Sequence, residues 1–350
     1  MDFITQTLLG TIAAQTLLTR RLGRAAALFG ALGGALPDFD VVLRPLADPA
    51  LPFELHRHFT HSLVFIPIGG ALATAPFLLR RAWRRQAHCV FAAATIGCAT
   101  HGLLDNLTSY GTHLFWPFLA ERTAWDAMSI IDPIFTGLLM LGVFLSLIIG
   151  HMRPAAIGLA LAVLYIAFGF VQHERALHAQ QRLAERRGHL IQHGRVTPTL
   201  GNLIVWRSVY ESDGMLYADA VRAPMLDAPM VREGRALPRI DLDDIVPSGA
   251  VAPRHAARVR EVFQAFSSFA TGFTALVDGD LDSSLIVGDV RYSLDTAGFE
   301  PIWGLRIGPK DAPVPVQWAP LMADRPGRLR DFWYELLEPG TTYVPIAATR

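Results

Sequence analysis

The sequence is short of charge. Charged residues make up 18% of its 350 positions, against about a quarter in an ordinary soluble domain, while 51% are hydrophobic and the mean hydropathy is +0.31. Net charge is also missing, since 31 basic residues balance 31 acidic ones. A polyanion such as nucleic acid is therefore not an expected partner. Cysteine is limited to Cys89 and Cys98, which a helix would place about 180° apart. They read as small apolar core residues and say nothing of redox compartment. No G-x-S-x-G, Walker loop, G-x-G-x-x-G or H-E-x-x-H occurs, so the commonest hydrolase, nucleotide and zinc-protease signatures are all absent. Asp278, Asp280 and Asp282 alternate like a calcium loop, but no Gly and Glu follow where such a loop needs them, and a β-turn is expected. There is no internal repeat.

What is present is uneven. Apolar segments fall at 3–18, 25–36, 62–79, 87–107, 130–150 and 154–171. The last four approach the roughly 20 residues that a spanning helix needs. The first has no basic residues before it and Arg20, Arg21 and Arg24 after it, the wrong polarity for a cleaved signal, so it reads as a retained helix. The expectation is a membrane all-α bundle of four to six spanning helices over 1–172. A helical linker at 173–198 and a small soluble α+β domain over 199–350 follow. In that last part 203–210, 215–221, 273–277, 284–292 and 301–307 read as strands, 254–270 as a helix and 223–253 as mostly loop. With six spans, the loops carrying Arg20, Arg21 and Arg24, then Arg80, Arg81, Arg84 and Arg85, then Arg153 share one side. The positive-inside rule makes that side cytoplasmic and the C-terminal domain outward-facing.

The same topology sends the Asp and His residues to the outward face. Ionisable groups at membrane depth are costly unless they pair or serve a site. His101 and Asp105 are four apart, hence about 40° apart on one helical face, which suits chelation of one ion. Asp38 and Asp40 follow Pro37, as turn residues or as carboxylates neutralised by a cation. His56-Arg-His-Phe-Thr-His-Ser62 stands directly before the third segment. His56 and His61 cannot share a helical face, so a loop with Thr60 as N-cap is expected to present them. Ser62 lacks a separate base and orienter for a serine mechanism. Asp132 before Pro133 reads as an N-cap, and Asp126 as a ligand or a group orienting a histidine.

Four islands in this order carry a resemblance. They are residues 1–10, Leu36-Pro-Asp-Phe-Asp40, His56-Arg-His-Phe-Thr-His-Ser62, and His101-Gly-Leu-Leu-Asp105 continuing into Thr108-Ser-Tyr-Gly-Thr112. The chain resembles the YdjM-type family, described as LexA-binding, inner-membrane-associated and metal-dependent hydrolases. The family's order of motifs is in turn similar to that of zinc-dependent phospholipases C and single-strand nucleases. Many members carry histidine where this chain has Gln6, a poor zinc ligand, and glycine where it has His58.

The resulting expectation is a divalent metal, zinc first, held by Asp38, Asp40, His56, His61, His101 and Asp105. Arg57 would stabilise an anionic group, and Asp126 would orient a ligand or act as base. Gln6, His58, Thr60, Ser62 and Asp132 are supporting positions. The expected substrate is a phosphoester or lipid at the outer face of the inner membrane. Two other readings stand beside it. One is a non-catalytic membrane regulator with a structural metal and a protein-binding C-terminal domain, LexA entering only through the family name. The other is a metal- or proton-coupled transporter, against which the small number of segments argues.

Overall fold

The computed structural model describes residues 1–245, 252–279, 284–293, 295–309, 312–321 and 343–346. Asp280 and Asp282 lie outside the described residues.

Helix α1 (Phe3–Leu22) starts where Asp2 accepts from Thr5 N at 3.0 Å, a cap that satisfies one of the free N–H groups of the first turn. Its threonines return their hydroxyls to the helix, Thr11 to Thr7 O at 2.7 Å and Thr19 to Gln15 O at 2.6 Å. This spares them an unmet donor in apolar surroundings. Around α1 pack α2 (Ala25–Ala35), α5 (Ala87–Leu107) and α6 (Pro133–Ile149). Between α2 and α5 come the 3₁₀ segments η1 (Leu36–Leu46), η2 (Phe59–His61) and η3 (Ala75–Leu79), helix α3 (Phe65–Thr74) and the single turn α4 (Arg81–Arg84). Helix α7 (Met152–Arg187) completes the set.

Helices α1, α2 and α5 meet along a seam of glycines. A Cβ on Gly97 would stand 2.2 Å from Gly30 O, and one on Gly10 would stand 2.5 Å from the same oxygen. Small residues allow this close approach, which in lipid must stand in for the hydrophobic drive between helices.

Three helical segments are long and apolar enough to cross a membrane, Ala25–Leu43, Ala87–Leu107 and Met152–Arg187, with shorter apolar helices at Phe65–Leu79 and Pro133–Ile149. The sequence led to an expectation of four to six. The third segment falls short because its helix ends at Thr74 and its last residues wind as 3₁₀. Inside this helical part the arginines gather at one end. Leu22, Ala26, Phe29 and Cys89 cluster there, flanked by Arg20, Arg21, Arg24 and Arg80–Arg85 in the chain, and Arg24 donates to Ile148 O at 3.4 Å. The opposite end holds the aspartates and histidines.

The chain forms two compact units, Met1–Leu46 with Phe53–Val171 and Leu200–Asn202, and Ala47–Pro52 with Gln172–Thr199 and Leu203–Arg350. The expected separate linker at 173–198 does not exist as such. α7 runs through to Arg187 without interruption, and β1 (His193–Pro198) follows within the same stretch. In the second unit, β1, β2 (Val205–Ser212), β3 (Met215–Arg222), β4 (Met230–Pro238) and β9 (Val344–Pro345) form one antiparallel sheet in that order. The turn between β2 and β3 places Asp213 and Gly214 at φ 51° and 73°, the left-handed pair that a tight two-residue hairpin demands. A second sheet orders β5 (Thr274–Gly279), β6 (Leu285–Asp289), β7 (Trp303–Ile307) and β8 (Val316–Pro320). The remaining helices are α8 (Leu242–Ile245) and α9 (Ala256–Phe269). β4 corrects the expectation of loop at 223–253. Its Val-Arg-Glu-Gly-Arg stretch lacks apolar alternation, and pairing with β3 from Met215↔Pro238 to Arg222↔Met230 makes it a strand.

The seam makes a direct prediction. Gly97→Val should destabilise the protein by about 1–3 kcal/mol or more through overpacking. Gly137→Ala, where nothing lies within 4 Å of the added Cβ, should be neutral or slightly stabilising. Thermal unfolding of the detergent-purified variants separates the two, and equal midpoints would contradict the seam.

Candidate metal centre

Asp105 sits in the last turn of α5, and its two oxygens have different surroundings. Oδ1 accepts from Gln6 Nε2 at 2.8 Å, faces Arg57 Nη2 at 3.2 Å and pairs with the Met1 amino group. Oδ2 is met by no hydrogen-bond donor; it faces His61 Nε2 at 3.2 Å and His101 Nε2 at 3.5 Å.

The two imidazoles have their protons placed by what lies behind them. His101 Nδ1 is 2.6 Å from Gly34 O. A carbonyl only accepts, so Nδ1 carries the proton and Nε2 is a lone pair. Thr60 Oγ1 donates to Asp40 Oδ2 at 3.0 Å and stands 3.0 Å from His61 Nδ1. Its own proton is committed, so it accepts from Nδ1 and again leaves Nε2 bare. These two Nε2 atoms are 3.0 Å apart. Asp38 Oδ1 completes the group at 3.5 Å from His61 Nε2 and 3.4 Å from His101 Nε2.

Asp38, His61, His101 and Asp105 thus offer four atoms all within 4.8 Å of one another. Two lone pairs and two carboxylate oxygens face one point with no proton between them, a repulsive arrangement that a cation reverses. The five quoted separations run from 3.0 to 3.5 Å. A tetrahedral ion with bonds of about 2.0–2.2 Å has edges of about 3.3–3.6 Å. The donor set therefore fits a divalent metal. His61, His101 and Asp105 are buried, and Asp38 keeps a side chain 17% exposed, so the centre opens on the Asp38 side.

The remaining expected residues stand around these four. Asp40 falls behind His61 because η1 is 3₁₀: at three residues per turn, positions two apart differ by about 120°. Its oxygens accept from Thr60, from Arg57 N at 3.0 Å and meet His56 Nδ1 at 2.8 Å. Asp40 and His56 thus form a carboxylate support for a ligand, the kind of contact that fixes ring orientation and basicity. Thr60 does not cap the third segment as expected. Its hydroxyl is turned to Asp40 and His61, while Ser62 Oγ accepts from Phe65 N at 3.3 Å at the start of α3. His58 is turned away, with its ring 4.5 Å from His113 and 5.8 Å from Trp116. Burial first, then Arg122, holds the His58 pKa below the usual value; the same causes lower His113 to about 4. Asp132 caps α6, accepting from Phe135 N at 3.0 Å and from Tyr165 OH at 2.8 Å. Asp126 is buried at φ 53° between Trp125 and Ala127, whose N–H groups are bound to Asn106 O and Leu107 O. It is not among the four converging residues.

Arg57 also has φ above zero, at 59°, a conformation uncommon outside glycine. Its carbonyl accepts from His113 N at 3.1 Å and Thr112 Oγ1 at 3.2 Å, and its guanidinium lies 4.7 Å from the Tyr110 ring. Arg122, which no sequence signal singled out, ties the same loop by donating to Phe53 O at 2.8 Å and His56 O at 2.7 Å. Gly102 is needed for the approach of loop to helix, since a Cβ there would stand 2.4 Å from His61 O.

In metal analysis of the purified protein, His101→Ala and Asp105→Ala should each remove the bound ion. Asp40→Asn should weaken binding by about 10–100-fold, and His58→Ala should leave it intact. Unchanged metal content in the first two would remove the centre.

Comparison with known proteins places this geometry in a family. No curated protein and no solved structure matches the chain. The family model described as YdjM inner membrane protein matches residues 1–176, the half of the sequence that holds every residue of the centre. The chain belongs to the YdjM inner membrane protein family.

Proposed function

We propose that the protein is a membrane-bound, metal-dependent hydrolase acting on a phosphoester or lipid-type substrate. The observation that carries this reading is the buried Asp38–His61–His101–Asp105 group, whose bare nitrogen and oxygen atoms converge at hydrogen-bond distances without protons to share. A divalent ion such as zinc, when bound there, lowers the pKa of a bound water to about 7.

The chain's own residues would perform the rest. Asp105 is held in one orientation by Gln6 and Arg57 through Oδ1, and His61 by Thr60 and Asp40. The positive charge of Arg57 next to the centre favours an anionic substrate group. Around Asp38, η1 exposes Phe39 (59%), Val42 (69%) and Leu46 (78%). An apolar rim of this kind at a membrane-embedded centre suits an amphiphile whose tails stay in lipid. The clustering of arginines at the other end of the bundle supports an orientation with that end cytoplasmic and the centre outward, and places the C-terminal domain in the periplasm.

A second reading is favoured by one feature. Four protein ligands close a tetrahedral site, as in structural zinc centres, whereas catalytic centres keep a position open. On that reading the ion stabilises a non-catalytic regulator.

Two measurements decide these points. In nanodiscs, the zinc-loaded protein should hydrolyse bis-p-nitrophenyl phosphate or a phosphatidylglycerol, and Asp38→Asn should lower turnover by about a hundredfold, the scale of losing a group that acts in the transition state. Metal-loaded protein inert toward both would leave the regulator reading. A topology reporter fused after residue 350 should be active in the periplasm; a cytoplasmic signal refutes the orientation.

A further inference from the structure

Helix α7 is longer than the bilayer it crosses. Its 36 residues extend about 54 Å at 1.5 Å per residue, against a hydrocarbon core of about 30 Å. The apolar run 154–171 accounts for about 27 Å of that length, and the helix's most apolar window is only 22% buried, as a lipid-facing surface requires. Hydrocarbon therefore ends near Val171. Gln172 and Arg175 occupy the first turn beyond it.

Those two side chains hold a single loop. Gln172, fully buried, donates from Nε2 to Leu203 O at 3.1 Å and Ala223 O at 2.6 Å. Arg175 donates from Nη1 to Pro224 O at 2.5 Å and from Nη2 to Asp227 O. The loop joins β3 to β4, and its carbonyls are turned in to the helix. Its apolar side chains are not, for Met225 is 66% exposed and Leu226 97%. A hairpin loop facing water has no use for an adjacent Met and Leu at its tip, and a guanidinium aimed at the loop's carbonyls fixes the presentation.

We propose that Met225 and Leu226 form a membrane-interface anchor, inserted into the lipid leaflet at the C-terminal end of the α7 span. The occupant is lipid because the loop is fastened where the lipid-facing surface of α7 stops, so the tip continues that surface. Asp227, exposed beside it, limits the depth, since a carboxylate is costly in hydrocarbon. The tip then lies at the boundary of headgroups and acyl chains, about 5–10 Å in, as amphipathic interfacial segments do. Nothing in this depends on what reaction the Asp/His centre supports.

The test uses the full chain in nanodiscs, with an environment-sensitive fluorophore on Leu226→Cys and, as a ruler on the same helix, on Glu185→Cys. Glu185 is exposed and about 20 Å further along α7 than Gln172. Cys89 and Cys98 are buried, and unsubstituted protein gives the labelling background. Quenching by lipids spin-labelled near the headgroup should be at least about threefold stronger at 226 than at 185, as for a segment inserted at the interface. Equal quenching at the two positions overturns the proposal. So does shielding of 226 from water that grows with protein concentration without lipid quenching, which assigns the tip to a second copy or another protein. Met225→Cys gives the same reading should Leu226→Cys not elute as a single species.

Discussion

A buried carboxylate with one oxygen held by donors and the other left bare is the constraint around which the helical part is organised. Asp105 reaches this state because α1 brings Gln6 and the Met1 amino group to one side of it, and the 53–62 loop brings Arg57. Without them the side chain could rotate and share its charge with either histidine, and the uncompensated cost of burying it would fall on the fold. With them, Oδ2 has a single direction left. The glycine seam serves the same end, since α1 reaches Asp105 only by lying against α2 and α5 at backbone distance.

The second contribution is the change of helix type at Leu36. α2 could have continued, and Asp38 and Asp40 would then have lain about 160° apart on opposite faces. Wound as 3₁₀, the segment turns one carboxylate to the two bare nitrogens and the other to the Thr60 hydroxyl and His56. One short motif therefore supplies both a candidate ligand and the group that fixes a neighbouring ligand's proton.

How much of this could be read from the sequence varied with how local the cause was. The spacing of His101 and Asp105 on α5 is a property of any helix, and it appears in the structure as an Nε2–Oδ2 distance of 3.5 Å. The different placements of Asp38 and Asp40, or of His61 and His56, depend on 3₁₀ turns that no spacing rule specifies. Arg122 and the αL backbone of Arg57 act on loop carbonyls from far along the chain, and leave no local pattern. In the second unit, β2 and β3 followed from apolar alternation, and α9 from helical periodicity. β4 did not, because its strand character comes from its partner. The continuity of α7 through 172–187 was obscured by composition, which changes at the membrane boundary while the backbone does not.

Gly102 carries one more implication. Its α-carbon hydrogens lie against the His61 carbonyl, so the loop bearing one histidine and the helix bearing the other cannot drift apart or approach further without a clash. The centre is thus the least evolvable part of the molecule. Variation among relatives that alters what the protein accepts has to be accommodated elsewhere, on the outer edge of η1 and in the 113–125 loop, where Phe39, Val42 and Phe118 are open to change.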